Sequence, residues 1–335
     1  MDERFYEITS ATAMDLSLAA GAAPPPTFRD RVISSVSSAD DADGEALTFV
    51  ESAKPTAPET LSAGLVFAPA DLADKFADTV AVVATPHPRW AFAKAAALIA
   101  RPRRFEPDAP LRHPDAQIED GVEIGPNVAI AAGAKIGRGT IIGPGSVIGP
   151  GVAIGRNCRI GANVAISCAL IGDNVTILAG VTIGETGFGL ATGADGAIDT
   201  PHFGRVIIQD HVSIGANTTV DRGLFDDTFL GEQVKIDNLC QIAHNVRVQP
   251  HAVIVAFGGI SGSVEIGAGA VLGGRVGVAD HVKIGAGAKL GAGSATMNDV
   301  PEGEAWGGYP AKPIRTWMRE VAWVGRQAQK RPSKS

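Results

Sequence analysis

Residues 230–290 read LGEQVKIDNLCQIAHNVRVQPHAVIVAFGGISGSVEIGAGAVLGGRVGVADHVKIGAGAKL. From Leu230 an aliphatic side chain returns at every sixth position: Ile236, Ile242, Val248, Ile254, Ile260, Ile266, Leu272, Val278, Ile284 and Leu290. A period of six matches neither the 3.6-residue turn of an α-helix nor the two-residue alternation of an ordinary strand. It fits a short strand and a tight turn, repeated, with one aliphatic group pointing inward each time. Glycine and asparagine at the turns tolerate the unusual backbone dihedrals that such corners impose. Three of these hexads per winding make a left-handed parallel β-helix, whose coils stack at the strand spacing of ~4.8 Å.

The same period is present earlier in the chain, through Ile118, Ile124, Ile130, Ile136, Ile142, Ile148, Ile154 and Ile160. Glycine usually follows, as in IGPNVA and IGRGTI. The phase slips by one at Ile171, continues through Ile177 and Ile183, and breaks at a glycine-rich excursion near residues 185–205. It resumes at Ile208, Ile214 and Val220, and DRGLFDDTF interrupts it again before Leu230. Outside the repeat the patterning changes. AGLVFA (63–68) and TVAVVAT (79–85) read as short buried strands, and PRWAFAKAAALIA (88–100) as a helix with an alanine-rich face. RPRRFEPDAPLRHPD (101–115) reads as a linker, GGYPAKP (307–313) as a turn ending the coil, and PIRTWMREVAWVGRQAQKR (313–331) as a helix with Trp317, Val321 and Val324 on one side. The expected fold is therefore mainly β: a small α/β domain over 1–112, the β-helix over 113–310, and a C-terminal α-helical extension over 311–335.

The totals agree with this architecture. Aromatics are 5% of the chain while glycine reaches 41 residues, which suits a repetitive β fold better than a helical bundle. A formal net charge of −7 argues against a nucleic-acid-binding protein. The first residues have no basic segment followed by an apolar core, and no stretch approaches the ~18 uncharged apolar residues of a membrane span. Cys158, Cys168 and Cys240 form no CxxC pair and read as free thiols of a reducing compartment, so the expected location is the cytoplasm.

Chemistry concentrates in KIDNLCQIAHNVRV, where Asp237, Asn238, Gln241, His244 and Asn245 fall within nine residues. Histidine suits general-base work because its ordinary pKa, ~6.5, lies near working pH. Gly262 follows His244 by 18 residues, one winding away at the same corner, where its backbone N–H can face a thioester oxygen beside the imidazole. His281 follows by 37 residues, about two windings along near the same edge. Asp237 precedes His244 by seven residues and belongs to a different corner, so any contact that orients His244 has to cross a subunit boundary, as a threefold trimer permits. The other histidines, His87, His113, His202, His211 and His251, fall at prolines, loops or turns. The spacing HNVRVQPH does not gather three zinc ligands, so no metal is expected.

The segments GETGFG, PHFGRVIIQDHVSIGANTTVDRG, DNLCQIAHNV, GGISGSVEIG and GGYPAKP together resemble the UDP-3-O-acylglucosamine N-acyltransferases, the third enzyme of lipid A biosynthesis. The resemblance covers most of residues 100–320 and agrees with the domain order throughout. It implies transfer of a 3-hydroxyacyl chain from acyl carrier protein to the 2-amino group of a UDP-3-O-(3-hydroxyacyl)-glucosamine. The chain needs no cofactor of its own, because the donor brings its 4'-phosphopantetheine. Residue by residue, the family's catalytic histidine falls on His244, its partner aspartate on Asp237 and its oxyanion-hole glycine on Gly262. A second histidine that binds substrate or the phosphopantetheine arm falls on His281, and Gln241 and Asn245 sit where the groove is lined. In the family's uridine-binding N-terminal domain, Phe49 of LTFVESAK matches the aromatic that stacks on uracil; Pro55 stands near the place of a usual tyrosine. From sequence alone Phe49 reads equally as a core aromatic. The resemblance further implies a homotrimer, acyl carrier protein as partner, and transient inner-membrane contact through the lipid product.

Arg315, Arg319, Arg326, Lys330, Arg331 and Lys334, against Glu320 alone, form a basic C-terminal patch that can steer an acidic carrier protein. Ala295 and Met297 are candidate floor positions for the acyl groove. Other readings have distinguishing features. The pathway's first O-acyltransferase lacks an N-terminal α/β domain, which residues 1–112 supply. A sugar-nucleotide N-acetyltransferase would use acetyl-CoA. A β-helical carbonic anhydrase would hold metal. A non-catalytic scaffold would leave the 237–245 cluster without purpose.

Overall fold

The computed structural model describes residues 1–53, 57–308 and 311–329, with side chains through 327. Helix α1 (Ala13–Ala19) begins at a capping box in which Thr12 and Asp15 satisfy each other's backbone N–H groups. Four parallel strands follow one another across a sheet, Ser35–Val36, Ala46–Phe49, Leu65–Ala68 and Ala81–Ala84, with the short helix α2 (Ala70–Ala73) between the last two. Helix α3 (Pro88–Ile99) starts on a proline, whose missing N–H has no partner to lose in a first turn. It buries Trp90, Phe92, Ala95, Ala96 and Ile99. The two strands and the helix read from the sequence are all present. The expected linker, however, begins as structure: Arg101 and Pro102 extend a strand that pairs antiparallel with Tyr6–Ile8.

The repeat folds as a left-handed parallel β-helix of two-residue strands. Each strand has an outer side chain facing solvent and an inner aliphatic one facing the axis, as in Lys235–Ile236 and Arg247–Val248. Among the described residues these strands fall into three parallel sheets of ten, nine and nine, the faces of a triangular prism. The inner residues of the unbroken region, Leu230 to Leu290, are at most 4% exposed. Burying a side chain of that size contributes ~1.5–3 kcal/mol, so the stack as a whole is a strong hydrophobic spine. The corners are turns in which one residue adopts the left-handed conformation. Glycine does so at Gly133 and Gly145 and asparagine at Asn157, Asn163 and Asn217, where φ lies at 54–56° for the three asparagines.

Three windings depart from the repeat. At the phase slip Ile154 pairs with Ile171, a winding shortened to 17 residues, as in the Arg156–Asp173 contact, and Cys168 takes φ 43° to close it. The next step stretches to 37 residues between Asp173 and Asp210, and a later one to 22 between Thr219 and Gln241. All three faces resume in register afterwards. At the C-terminal end Ala305–Trp306 adds the last strand, and helix α4 (Ile314–Gln329) follows with Trp317, Val321 and Val324 lining one groove. Tyr309 and Pro310 of the expected closing turn lie outside the described residues. No helix among the described residues is long and apolar enough to cross a membrane. The three cysteines are buried free thiols.

Candidate active site

The long winding leaves the prism after Thr182–Thr186 as GETGFG, forms a hairpin from Leu190–Gly193 and Gly196–Asp199, and returns along Thr200–Arg205. Helix α3 holds the hairpin down: Trp90 and Ala93 pack on Ala191 and Ile198, and a Cβ at Gly193 would lie 2.4 Å from the Trp90 ring. The return segment delivers His202, only 2% exposed. Its Nδ1 lies 2.9 Å from Thr200 O, and its carbonyl accepts from Tyr6 Oη (3.2 Å) and Arg222 Nε (3.0 Å). Arg222, itself buried, also donates to Gly184 O at 2.8 Å, closing the two ends of the excursion onto one guanidinium. Burial, reinforced by His244, depresses the His202 pKa to about 4.

His244 stands at the corner following Gln241–Ile242, edge-to-face with His202 at 5.1 Å between ring centroids. Its Nδ1 is 3.0 Å from Asn245 Oδ1, which also accepts from the Leu224 backbone N–H at 2.9 Å. A main-chain N–H only donates, so that Asn245 atom is the amide oxygen. His244 Nδ1 therefore carries the proton, and Nε2 keeps the lone pair. One winding on, Ser263 N donates to His244 O at 2.9 Å, which brings Gly262 against the ring. A Cβ on Gly262 would sit 2.6 Å from His244 Cε1 and 2.7 Å from Nε2. Only hydrogen fits there. Gly262 N–H has no acceptor among the described residues.

His244, Gly262 and Gln241 share a cleft of about 690 Å³ whose walls include Gly187, Phe188 and Asp221. Phe188 is 81% exposed. Asp221 accepts from Gln241 Nε2 at 2.8 Å, and burial pushes its carboxyl up to about 6 against the pull of Gln241 and His244.

His281 is not in this cleft. Its N–H donates to Gly262 O, and it shares a left-handed turn position with Asn245 and Ser263, one residue over from the His244–Gly262 column. His281 and Asn245 line an adjoining polar cavity of about 840 Å³ together with Arg205 and Arg247. His281, expected near the same edge as His244, thus stands in a second column parallel to the first and sharing its corner. Asp237 accepts from Asn238 N (2.7 Å), Asn238 Nδ2 (2.8 Å) and Ala256 N (3.2 Å), and within the chain it does not reach His244. His251 turns at a different corner from His244, so the HNVRVQPH pair diverges. Phe49 is half-buried against Phe92 (5.0 Å) and Phe225 (6.4 Å), with the Arg89 guanidinium 5.3 Å from its ring. Pro55 lies outside the described residues. Ala295 and Met297 do not floor a groove within the chain, since both are exposed, Met297 to 84%. Arg315, Arg319 and Arg326 are exposed on α4; Lys330, Arg331 and Lys334 lie outside the described residues.

Two residues beside His244, His202 packed behind its ring and Asp221 in the cleft wall, escaped the sequence. His202 reads there as one loop histidine among several, and Asp221 only as part of VDRG. The available signal was the position of both motifs, each flanking a break in the hexads.

Comparison with known proteins bears on the whole chain. Residues 30–98 match the family model described as UDP-3-O-(3-hydroxymyristoyl) glucosamine N-acyltransferase. Residues 133–168 match the six-repeat bacterial transferase hexapeptide, and 154–185 and 263–295 the hexapeptide repeat of succinyl-transferase. A UDP-3-O-acylglucosamine N-acyltransferase of Caulobacter vibrioides is 48% identical over 330 residues, covering 98% of this chain and 97% of the relative. One from Caulobacter sp. strain K31 is 47% identical over the same span. Among solved structures, a UDP-N-acetylglucosamine acyltransferase of Bacteroides fragilis aligns over 66% of this chain and 86% of its own, at 20% identity and a TM-score of 0.43.

Proposed function

The chain belongs to the UDP-3-O-acylglucosamine N-acyltransferase family, and on that premise we propose that it moves a 3-hydroxyacyl chain from the phosphopantetheine thioester of acyl carrier protein to the 2-amino group of a UDP-3-O-(3-hydroxyacyl)-glucosamine. The observation that carries this reading is the fixed tautomer of His244, whose proton-free Nε2 faces the cleft beside Gly262. The substrate amine attacks the thioester carbonyl while Nε2 accepts its proton. The carbonyl oxygen becomes an oxyanion, for which the unpartnered Gly262 N–H is a ready donor. As the intermediate collapses the C–S bond breaks, and the imidazolium returns its proton to the departing thiol. An amide remains on the sugar, and no acyl group is ever attached to the enzyme. Inside one protomer Asn245 is the group that orients His244, because the Asp237 carboxylate does not reach the ring.

The polar cavity that holds His281 is lined by Arg205 and Arg247 but also by Asp2, Glu3, Asp226, Asp227 and Glu265, with Arg205 paired to Asp2 and Asp227; the half-buried Phe49 beneath Arg89 lies in the domain expected to hold uracil. A homotrimer in the cytoplasm is part of the same reading, with Asp237 acting across the subunit boundary and the lipid product bringing the enzyme to the inner membrane. Support for a second copy comes from Leu239 (48% exposed) and Phe257 (52%), apolar side chains at left-handed corners bordering the face that carries Gln241. We expect His244→Ala to keep the oligomer by light scattering and to lose ~10²–10⁴ in turnover with acyl carrier protein thioester and UDP-3-O-acylglucosamine. Turnover near wild type would remove His244 from the chemistry.

A further inference from the structure

His202 has no part in the reaction as derived so far, yet it is the more deeply buried of the two imidazoles. Its Nδ1 lies 2.9 Å from a carbonyl, Thr200 O, which only accepts, so Nδ1 bears the hydrogen and Nε2 is an acceptor. That acceptor edge is turned toward His244. The point a Cβ on Gly187 would occupy is 2.9 Å from both His202 Nε2 and His244 Cδ2, and 2.8 Å from His244 Cβ. GETGFG therefore presents glycine where two imidazoles converge, and the rings meet edge-to-face at 62°. The return segment is locked from outside by Tyr6 and Arg222 on the His202 carbonyl, so the ring cannot retreat when its neighbour moves.

We infer that His202 is a positioning residue for the reaction: its ring holds His244 in the plane that aims Nε2 at Gly262, and its uncharged acceptor edge favours the imidazolium that forms as the amine is deprotonated. The inference rests on His244 being the base. A charged His202 would do the opposite, placing a second cation 5.1 Å from the first. Burial prevents this at working pH by depressing the His202 pKa to about 4. The charged or titratable groups around it are His244, facing its ring, and Tyr6 and Arg222, both bonded to its carbonyl, while Asp221 shares the cleft with His244 and is the same in every variant compared; Thr186 and Thr200 add neutral contacts. Arg222 disfavours a further positive charge there.

The test compares full-length His202→Leu, His202→Gln and His244→Ala on the same two substrates across pH. His202→Leu keeps the volume and removes the acceptor. Its kcat should fall ~10-fold with KM for both substrates unchanged, and the acid limb of its pH profile should move to lower pH, because the imidazolium of His244 has lost its neighbour. His202→Gln restores an acceptor oxygen and should return kcat to within ~3-fold of wild type, with the limb back in place. A His202→Leu profile that overlies wild type overturns the inference. So does a His202→Gln enzyme as slow as His202→Leu with the same fall in unfolding temperature, because that pattern describes packing alone. An active His244→Ala enzyme sinks the base assignment instead, a separate outcome.

Discussion

The windings from Leu230 to Leu290 and those between Ile171 and Leu230 share one architecture and divide its labour. The first group repeats without interruption, each hexad placing one aliphatic group on the axis and one glycine, polar or left-handed residue at a corner. The second group twice abandons the period and each time returns to register. His244 and Gly262 come from the regular group, where an 18-residue step stacks one above the other. His202, Asp221 and Gly187 come from the excursions, where no periodic rule applies. The cleft exists where the two kinds of winding meet. Repetition supplies the alignment of the base with its amide, and irregularity supplies the wall that encloses them.

That division can be broken from either side, and the largest effect is expected in the regular stack. Ile254 is fully buried, with neighbours one winding above and below in Ile236 and Leu272. Ile254→Asp should cost more than ~4 kcal/mol, because the stack offers an unpaired carboxylate no donor, and chemical denaturation should show a protein barely folded. Gly262→Ala tests the seam. Its methyl would intrude 2.6 Å from His244 Cε1, so kcat should drop ~10²-fold, about 3 kcal/mol in transition-state stabilisation, while thermal unfolding moves by only a few degrees. An alanine variant with normal turnover would mean that the ring and the amide are not in working contact.

The excursion makes its own contribution through pH. His202 has a folded pKa of about 4 against an ordinary 6.5, so the unfolded chain takes up its proton first. Stability from this residue is fully present above pH ~6.5 and is lost as pH falls toward 4, by about 3 kcal/mol in total. In denaturant titrations the wild type should lose about that much stability relative to His202→Gln between pH 6.5 and pH 4, the gap staying constant above pH 6.5; parallel curves would show that the buried imidazole carries no such linkage. The smallest effect is expected outside both groups, on α4. Arg315→Glu with Arg319→Glu should raise the KM for acyl carrier protein about 3–10-fold at low salt, and less as salt increases. An unchanged KM would place carrier docking elsewhere.

What the sequence disclosed follows the same line. The β-helix was legible because hexad spacing is a direct record of backbone geometry, and the proximity of residues 244 and 262 follows from counting along it. Counting along the repeat brings His281 near the same edge, but one residue of offset sends it into the neighbouring cavity, since adjacent corner positions point to different sides. His202 is not legible as a neighbour of His244 because that approach depends on how far a hairpin folds back, which no period encodes. Asn245 was expected in the groove wall; that it fixes the proton on His244 depends on a shared contact with Leu224 N, a residue of the second interruption. Met297 reads as a floor from its place in the chain alone, and its exposure removes it from that role within one protomer.

The even step between neighbouring windings has a consequence for how such a protein can grow. A prism built this way can be lengthened at either end in whole units of about 4.8 Å without redesigning the interior, because every added layer meets a surface identical in kind to the last. A cleft halfway along its height is indifferent to such additions. Extra layers spliced between residues 262 and 281 would instead act as a graded spacer, carrying His281 away from Asn245 and Ser263 within its own cavity by a chosen number of storeys.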